Sequence, residues 1–138
     1  MRANIRFILL GSLAVLLISI SISYFLLRVT EEQIVINKMV KFYKSAPNSE
    51  RVINDKNAVK QFTYAVRFAN KQPGIVDIAD PQYQFVLGER QYYLWVSDRY
   101  SKGTLMKLPD TGTIYTIDES RTSGLLDIIK KAYDNGQE

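Results

Sequence analysis

Residues 83–97 read YQFVLGERQYYLWVS. Tyr83, Phe85 and Leu87 alternate with Gln84 and Val86. A period of two is strand geometry, because successive side chains of an extended chain leave opposite faces. Gly88-Glu89 then reads as a tight turn, since glycine enters left-handed conformations without steric cost. Beyond it, Tyr92, Leu94 and Val96 share one face, and Tyr93, Trp95 and Ser97 share the other. Bulk on both faces predicts a strand that is central or covered on both sides. These residues place an antiparallel strand pair at the heart of a sheet.

The pattern extends in both directions. After Ser101-Lys102-Gly103, residues 104–108 read as a strand, Pro109-Asp110-Thr111-Gly112 as a turn and TIYTI (113–117) as the closing strand. Residues 122–134, TSGLLDIIKKAYD, change to helical spacing. Leu125, Ile128, Ile129 and Ala132 form the stripe, with Ser120 or Thr122 as cap. Upstream, IVDI (75–78) is a brief strand. Residues 55–70 read as a helix with Ala58, Val59, Phe62, Ala65, Val66 and Ala69 on one face. Asn54 or Asp55 is its cap, and Asn70 with Pro73-Gly74 its stop. SAPNSE (45–50) is a loop, and QIVINKMVKFY (33–43) alternates as a strand. The expected class is α+β: an antiparallel sheet of five to six strands with two helices packed on one face.

The opposite end of the chain is different. Residues 7–27, FILLGSLAVLLISISISYFLL, carry no charge and lie between Arg6 and Arg28. At about 1.5 Å per residue this helix spans roughly 32 Å, against ~30 Å for a bilayer core. It is expected to be a transmembrane anchor. Ser21 and Ser23 would serve as the −3 and −1 positions of a cleavable signal. The apolar run, however, outlasts the ~7–15 residues of a signal core, which favours an uncleaved anchor. Arg2 and Arg6 precede the run, whereas Arg28 is followed by no basic residue until Lys38. That bias puts the N-terminal flank in the cytoplasm and the domain outside. The expected organisation is a cytoplasmic tail (1–6), anchor (7–27), linker (28–32), domain (33–134) and tail (135–138).

Three of the 18 Lys and Arg flank the anchor, leaving 15 against 14 Asp and Glu. The positive net charge therefore belongs to the membrane flanks and gives no case for nucleic-acid binding. Eight basic residues fall between Lys38 and Lys71, opposed only by Glu50 and Asp55. Lys56, Lys60, Arg67 and Lys71 are read as one helix face, suited to solvent or to an anionic surface. The chain has no cysteine and no histidine. There is thus no disulfide framework, no thiolate nucleophile and no imidazole base or ligand. Absence of cysteine suits a Gram-positive extracytoplasmic protein. The carboxylates Asp77, Asp80, Glu89, Asp98, Asp110, Asp118 and Glu119 include several at predicted turns, where acids serve the backbone. Ser97, Ser101, Ser120 and Ser123 lack a histidine partner, and no phosphate loop or metal-ligand spacing occurs.

The stretch from Tyr83 to Ile129 resembles the C-terminal part of the YhfM-like small extracytoplasmic domains of bacilli, whose activity is undefined. The features that carry it are YYLW (92–95), DTGTIYTI (110–117) and the final short helix. FTYAVRFANKQPGIVDI (62–78) also fits the family's helix ending in a glycine turn. The resemblance covers most of residues 33–131. It implies the α+β fold and the outside location, and supplies no catalytic residues. The chain departs from it in lacking a lipoprotein cysteine.

The functional expectation is a membrane-anchored, non-enzymatic interaction module without cofactor or metal. It binds a protein or envelope component through Tyr93, Trp95, Arg99 and Tyr100, an aromatic–arginine set of the kind enriched at interface hot spots. Two alternatives stand beside it. One is a basic face (Lys56, Lys60, Arg67, Lys71) held to anionic lipid or wall polymer. The other is a hydrolase using two facing carboxylates.

Overall fold

A computed structural model describes residues 2–73 and 77–135. The chain divides between Thr30 and Glu31 into two units. The first is dominated by one helix, α1 (Arg2–Leu27), a turn longer than the apolar run itself. From Asn4 onward every side chain of α1 is exposed. Ser12, Ser19 and Ser21 donate their hydroxyls to the carbonyls of Leu9, Val15 and Leu17, so their polarity is absorbed within the helix. A helix that is apolar all round and unburied suits hydrocarbon better than water. Asn4–Leu27 is long and apolar enough to cross a membrane, and a signal sequence would pass the same test.

The second unit is an antiparallel sheet with two helices. Its strands are β1 (Ile34–Lys41), β2 (Lys44–Ser45), β3 (Arg51–Ile53), β4 (Asn70–Lys71), β5 (Tyr83–Leu87), β6 (Arg90–Trp95), β7 (Thr104–Lys107) and β8 (Tyr115–Thr116). Helix α2 (Lys56–Arg67) lies between β3 and β4, and α3 (Glu119–Asp134) follows β8. The order across the sheet is β2-β1-β5-β6-β7-β8-β4, with β3 also paired to β1. Among the described residues eight strands stand where five to six were expected. The additional ones, β2, β3 and β4, are two or three residues long. No periodicity can show in so few residues; they are strands because a partner is there. β3 exists by the pairs Ile34–Ile53, Val35–Val52 and Ile36–Arg51. Of the expected IVDI strand, Ile75 and Val76 lie outside the described residues, as do Gly74 and residues 136–138, and Asp77 and Ile78 are not in a strand.

The central pair is as the alternation requires. Phe85 lies opposite Ile36 on β1 and Tyr92 on β6. The Phe85 and Tyr92 rings stack at 4.9 Å, and Phe62 of α2 meets Phe85 edge-on at 5.0 Å. Tyr133 of α3 stacks on Tyr83 at 6.1 Å. Tyr83 and Phe85 are two apart on β5, so both helices cover the same face. Gly88, at φ 63°, makes the β5–β6 turn, and a Cβ there would meet the Glu31 carboxylate at 2.8 Å.

Helices α2 and α3 each begin at a carboxylate. Asp55 accepts from the Ala58 N–H at 2.9 Å and caps α2. Helix α2 ends at Arg67, so Ala69 falls outside the expected stripe. In α3 the cap is Asp118, in place of Ser120 or Thr122. Its carboxylate accepts from the Arg121 N–H at 2.8 Å and pairs with the Arg121 guanidinium. Thr122 is instead buried in the first turn. It accepts from the Gly103 N–H and donates to the Asp118 carbonyl, tying α3 to the start of β7. At its other end, α3 is fastened by Tyr133, whose hydroxyl donates to the Ser49 carbonyl at 2.8 Å. Lys38 and Arg51 lie over the same ring.

Two predictions follow from these ends. The Arg121 N–H, donating to the Asp118 carboxylate, holds its pKa below the usual carboxylate value. Folding lowers that pKa, so the stabilisation is complete above ~4 and is lost as pH falls through the folded value. Asp118→Ala is expected to cost about 1 kcal/mol at pH 7, with the gap to the parent narrowing at pH 3 in thermal unfolding followed by circular dichroism. Burial pushes the Tyr133 hydroxyl up to about 12. An unfolded tyrosine ionises near ~10, so stability present below that pH declines as pH rises toward the folded value. Tyr133→Phe is expected to lose about 1 kcal/mol at pH 8 and to show a shallower decline between pH 10 and 12 in urea unfolding.

Candidate functional site

The expected aromatic surface is divided by the fold. Tyr93 is 2% exposed, on the sheet face away from the helices. The β1–β2 turn folds across that face and brings Phe42 to 5.5 Å from the Tyr93 ring and 6.1 Å from Trp95. Tyr93 accepts a hydrogen bond from the Tyr43 N–H, and Trp95 donates its indole N–H to the Ala79 carbonyl at 2.9 Å. Phe42, Tyr93 and Trp95 thus form a half-buried aromatic cluster around the buried Tyr93 ring. Arg99 and Tyr100 are exposed on the β6–β7 loop, Tyr100 at 73%. The four residues do not form one surface, because Tyr93 lies beneath the β1–β2 turn whereas Arg99 and Tyr100 are on the β6–β7 loop.

The expected basic face is partly assembled. Lys56, Lys60 and Arg67 are exposed on the outer side of α2, where Lys60 and Arg67 flank the Tyr64 ring at 5.7 and 6.0 Å. Lys71 belongs to β4, not to this helix. Five carboxylates have definite structural partners. Asp55 and Asp118 cap the helices, and Asp80 accepts from the Phe42 N–H at 3.0 Å. Asp98 pairs with Lys130, and Asp110 accepts from the Gly112 N–H. Among the described residues no cluster of acids is arranged to hold a metal ion.

A groove that the sequence did not reveal opens between β3, α2 and α3, with a volume of about 600 Å³. Its floor is apolar, from Ile53, Ala58, Ile128 and Ala132. Asn57 and Gln61 of α2 face it from one side, and Asp127 and Lys131 of α3 from the other. Each pair is four residues apart, which puts both members on one helix face. The helices approach closely at Gly124, where a Cβ would collide with the Gln61 amide. A concavity of this size, with an apolar floor and a few polar groups, matches small-ligand sites in general. The i, i+4 spacings were visible in sequence, but the meeting of two helices 60 residues apart was not.

A solved structure of a thioesterase-like protein from Clostridium sporogenes is similar to this chain, with TM-score 0.47 and 18% identity over 72% of this chain and 93% of that one. No curated protein matches the sequence. The expectation of a non-enzymatic interaction module that binds a protein or envelope component through Tyr93, Trp95, Arg99 and Tyr100 is corrected by the burial of Tyr93. Tyr93 is closed off by the β1–β2 turn, while Arg99 and Tyr100 stand apart on the β6–β7 loop. Residues 30–135 match the model of the YhfM protein family, which takes in nearly the whole of the second unit, and the chain belongs to that family.

Proposed function

We propose that this chain is a single-pass membrane protein that carries a YhfM domain on the outer side of the cytoplasmic membrane and receives a small polar ligand in the α2–α3 groove. The observation that carries the first part is α1, an exposed apolar helix joined to the domain by a short linker. Arg2 and Arg6 on one flank outweigh Arg28 on the other, which supports the outward orientation under the Lys/Arg rule. The groove's mixed lining supports the second part. An apolar floor gains from excluding water, while Asn57, Gln61, Asp127 and Lys131 offer both donors and acceptors.

With an epitope tag after Glu138, protease treatment of intact protoplasts should remove the tag from a full-length membrane-bound chain. A protected full-length tag would place the domain in the cytoplasm, and a shortened product in the medium would mean that the apolar segment is cleaved. For the groove, a library of polar fragments is screened by NMR against the full chain in micelles. Shifts are expected at Asn57, Gln61 and Asp127, and Ala132→Trp, which fills the floor, should abolish them. Shifts that survive this substitution would move the ligand site elsewhere.

A further inference from the structure

Arg51 of β3 stands on the helix side of the sheet, since its cross-strand partner is the buried Ile36. There its side chain is half-buried and held in place. Nη1 donates to the Glu50 carbonyl at 2.8 Å and to the Asn48 carbonyl at 3.2 Å, and Cζ lies 5.1 Å from the centre of the Tyr133 ring. These contacts fix the guanidinium but use only one of its nitrogens. Nε is buried without an acceptor among the described residues, and Nη2 makes no hydrogen bond to them. No carboxylate among them pairs with the group. Nε and Nη2 together form the side edge of a guanidinium, the fork that takes two oxygens of one carboxylate or phosphate. A cation drawn out of water without a counter-charge, and with a buried donor unpaired, weighs against the folded state. Such a group calls for a physical explanation, and neither the sheet nor the helices around Arg51 supply one.

The explanation lies in where the residue stands. Arg51 lines the groove between β3, α2 and α3, so a fixed cation occupies its sheet side. Burial without a partner is confined to Nε, and Nη2 keeps open surface. An oxyanion meets Nη2 first, and a turn about the last side-chain bonds brings Nε to its second oxygen. Lys131, exposed on α3, adds a second positive charge to the lining. Of the carboxylates there, Asp55 is taken up by the Ala58 N–H at the start of α2. Asp127 remains. Its charge opposes a dianion more than a monoanion, which favours a carboxylate over a phosphate, and it accepts from a donor elsewhere on the ligand.

We infer that Arg51 is the anion anchor of the groove, taking the oxyanion of a small acidic ligand, with a carboxylate favoured, while the apolar floor, Asn57 and Gln61 hold the uncharged remainder. This assignment rests on the groove being a ligand site and names the chemical class of what it receives.

The test is NMR on the full chain in zwitterionic micelles with N-benzoylglycine, its neutral amide and phenyl phosphate, each of which offers a ring to the apolar floor. N-benzoylglycine should move the Arg51 Nε–H resonance together with the amides of Asn57 and Gln61. It should bind roughly tenfold more tightly than the neutral amide, as a hydrogen bond to a charged group implies. Ala132→Trp should remove both sets of shifts. Arg51→Lys keeps the charge but not the fork, and should remove most of the tenfold advantage with the rest of the spectrum unchanged. The Arg51 resonance of the parent chain decides the matter even where that variant fails to fold. Tighter binding of phenyl phosphate with the same Arg51 shift would keep the anchor and make the oxyanion a phosphate. Equal affinity for acid and amide, with the Arg51 Nε–H unmoved, overturns the anchor and leaves the groove reading standing. An Arg51 shift that survives Ala132→Trp overturns it too, by placing the anion outside the groove. Silence of the groove residues with all these probes overturns both readings.

Discussion

Phe85 is held between two rings, stacked on Tyr92 at 4.9 Å and met edge-on by Phe62 at 5.0 Å. That contact joins the centre of the sheet to α2, and the rest of the domain is arranged around it. β1 and β6 flank β5 and extend the same apolar face. Helix α3 closes what α2 leaves open, by burying Leu125 and Ile129 and by stacking Tyr133 on Tyr83. Removing either phenylalanine ring would cost about 3–5 kcal/mol, a large share of the stability of a domain this size.

With the helices all on one face, the other face of the sheet needs a different cover. Tyr93 and Met106 lie opposite each other there, and both are almost fully buried. Part of that cover comes from Phe42, and the turn that delivers it is pinned by Asp80 and by the Tyr93 hydroxyl. Closing the sheet and straining Tyr43, at φ 63°, are thus one event. The backbone that places Phe42 inward is the same backbone that turns Tyr43 outward.

The apolar helix α1 obeys a separate logic. Ser12, Ser19 and Ser21 return their hydroxyls to its backbone, and residues 7–27 carry no charge. The groove between β3, α2 and α3 has a third origin, in the close approach permitted by Gly124 and the polar residues beyond it.

Where a residue's environment is set by its near neighbours in sequence, the reading was reliable. The apolar run of α1, the alternation of β5 and β6, the α2 stripe and the Asp55 cap all depend on spacing within one element. The resemblance to the YhfM family also rested on local strings, YYLW and DTGTIYTI, and the family model matches residues 30–135. What depends on distant partners was not legible. β2, β3 and β4 are strands only because β1 and β8 offer them hydrogen bonds. Thr122 is inside its helix rather than capping it because the Gly103 N–H has to be satisfied in the interior. Tyr93 is buried because a turn 50 residues earlier in the chain lies across it. The sequence by itself determined which segments are apolar, on which face and with what period. Only the tertiary structure decided which of those faces would be covered, because burial depends on the second surface, and alternation along one strand says nothing of it.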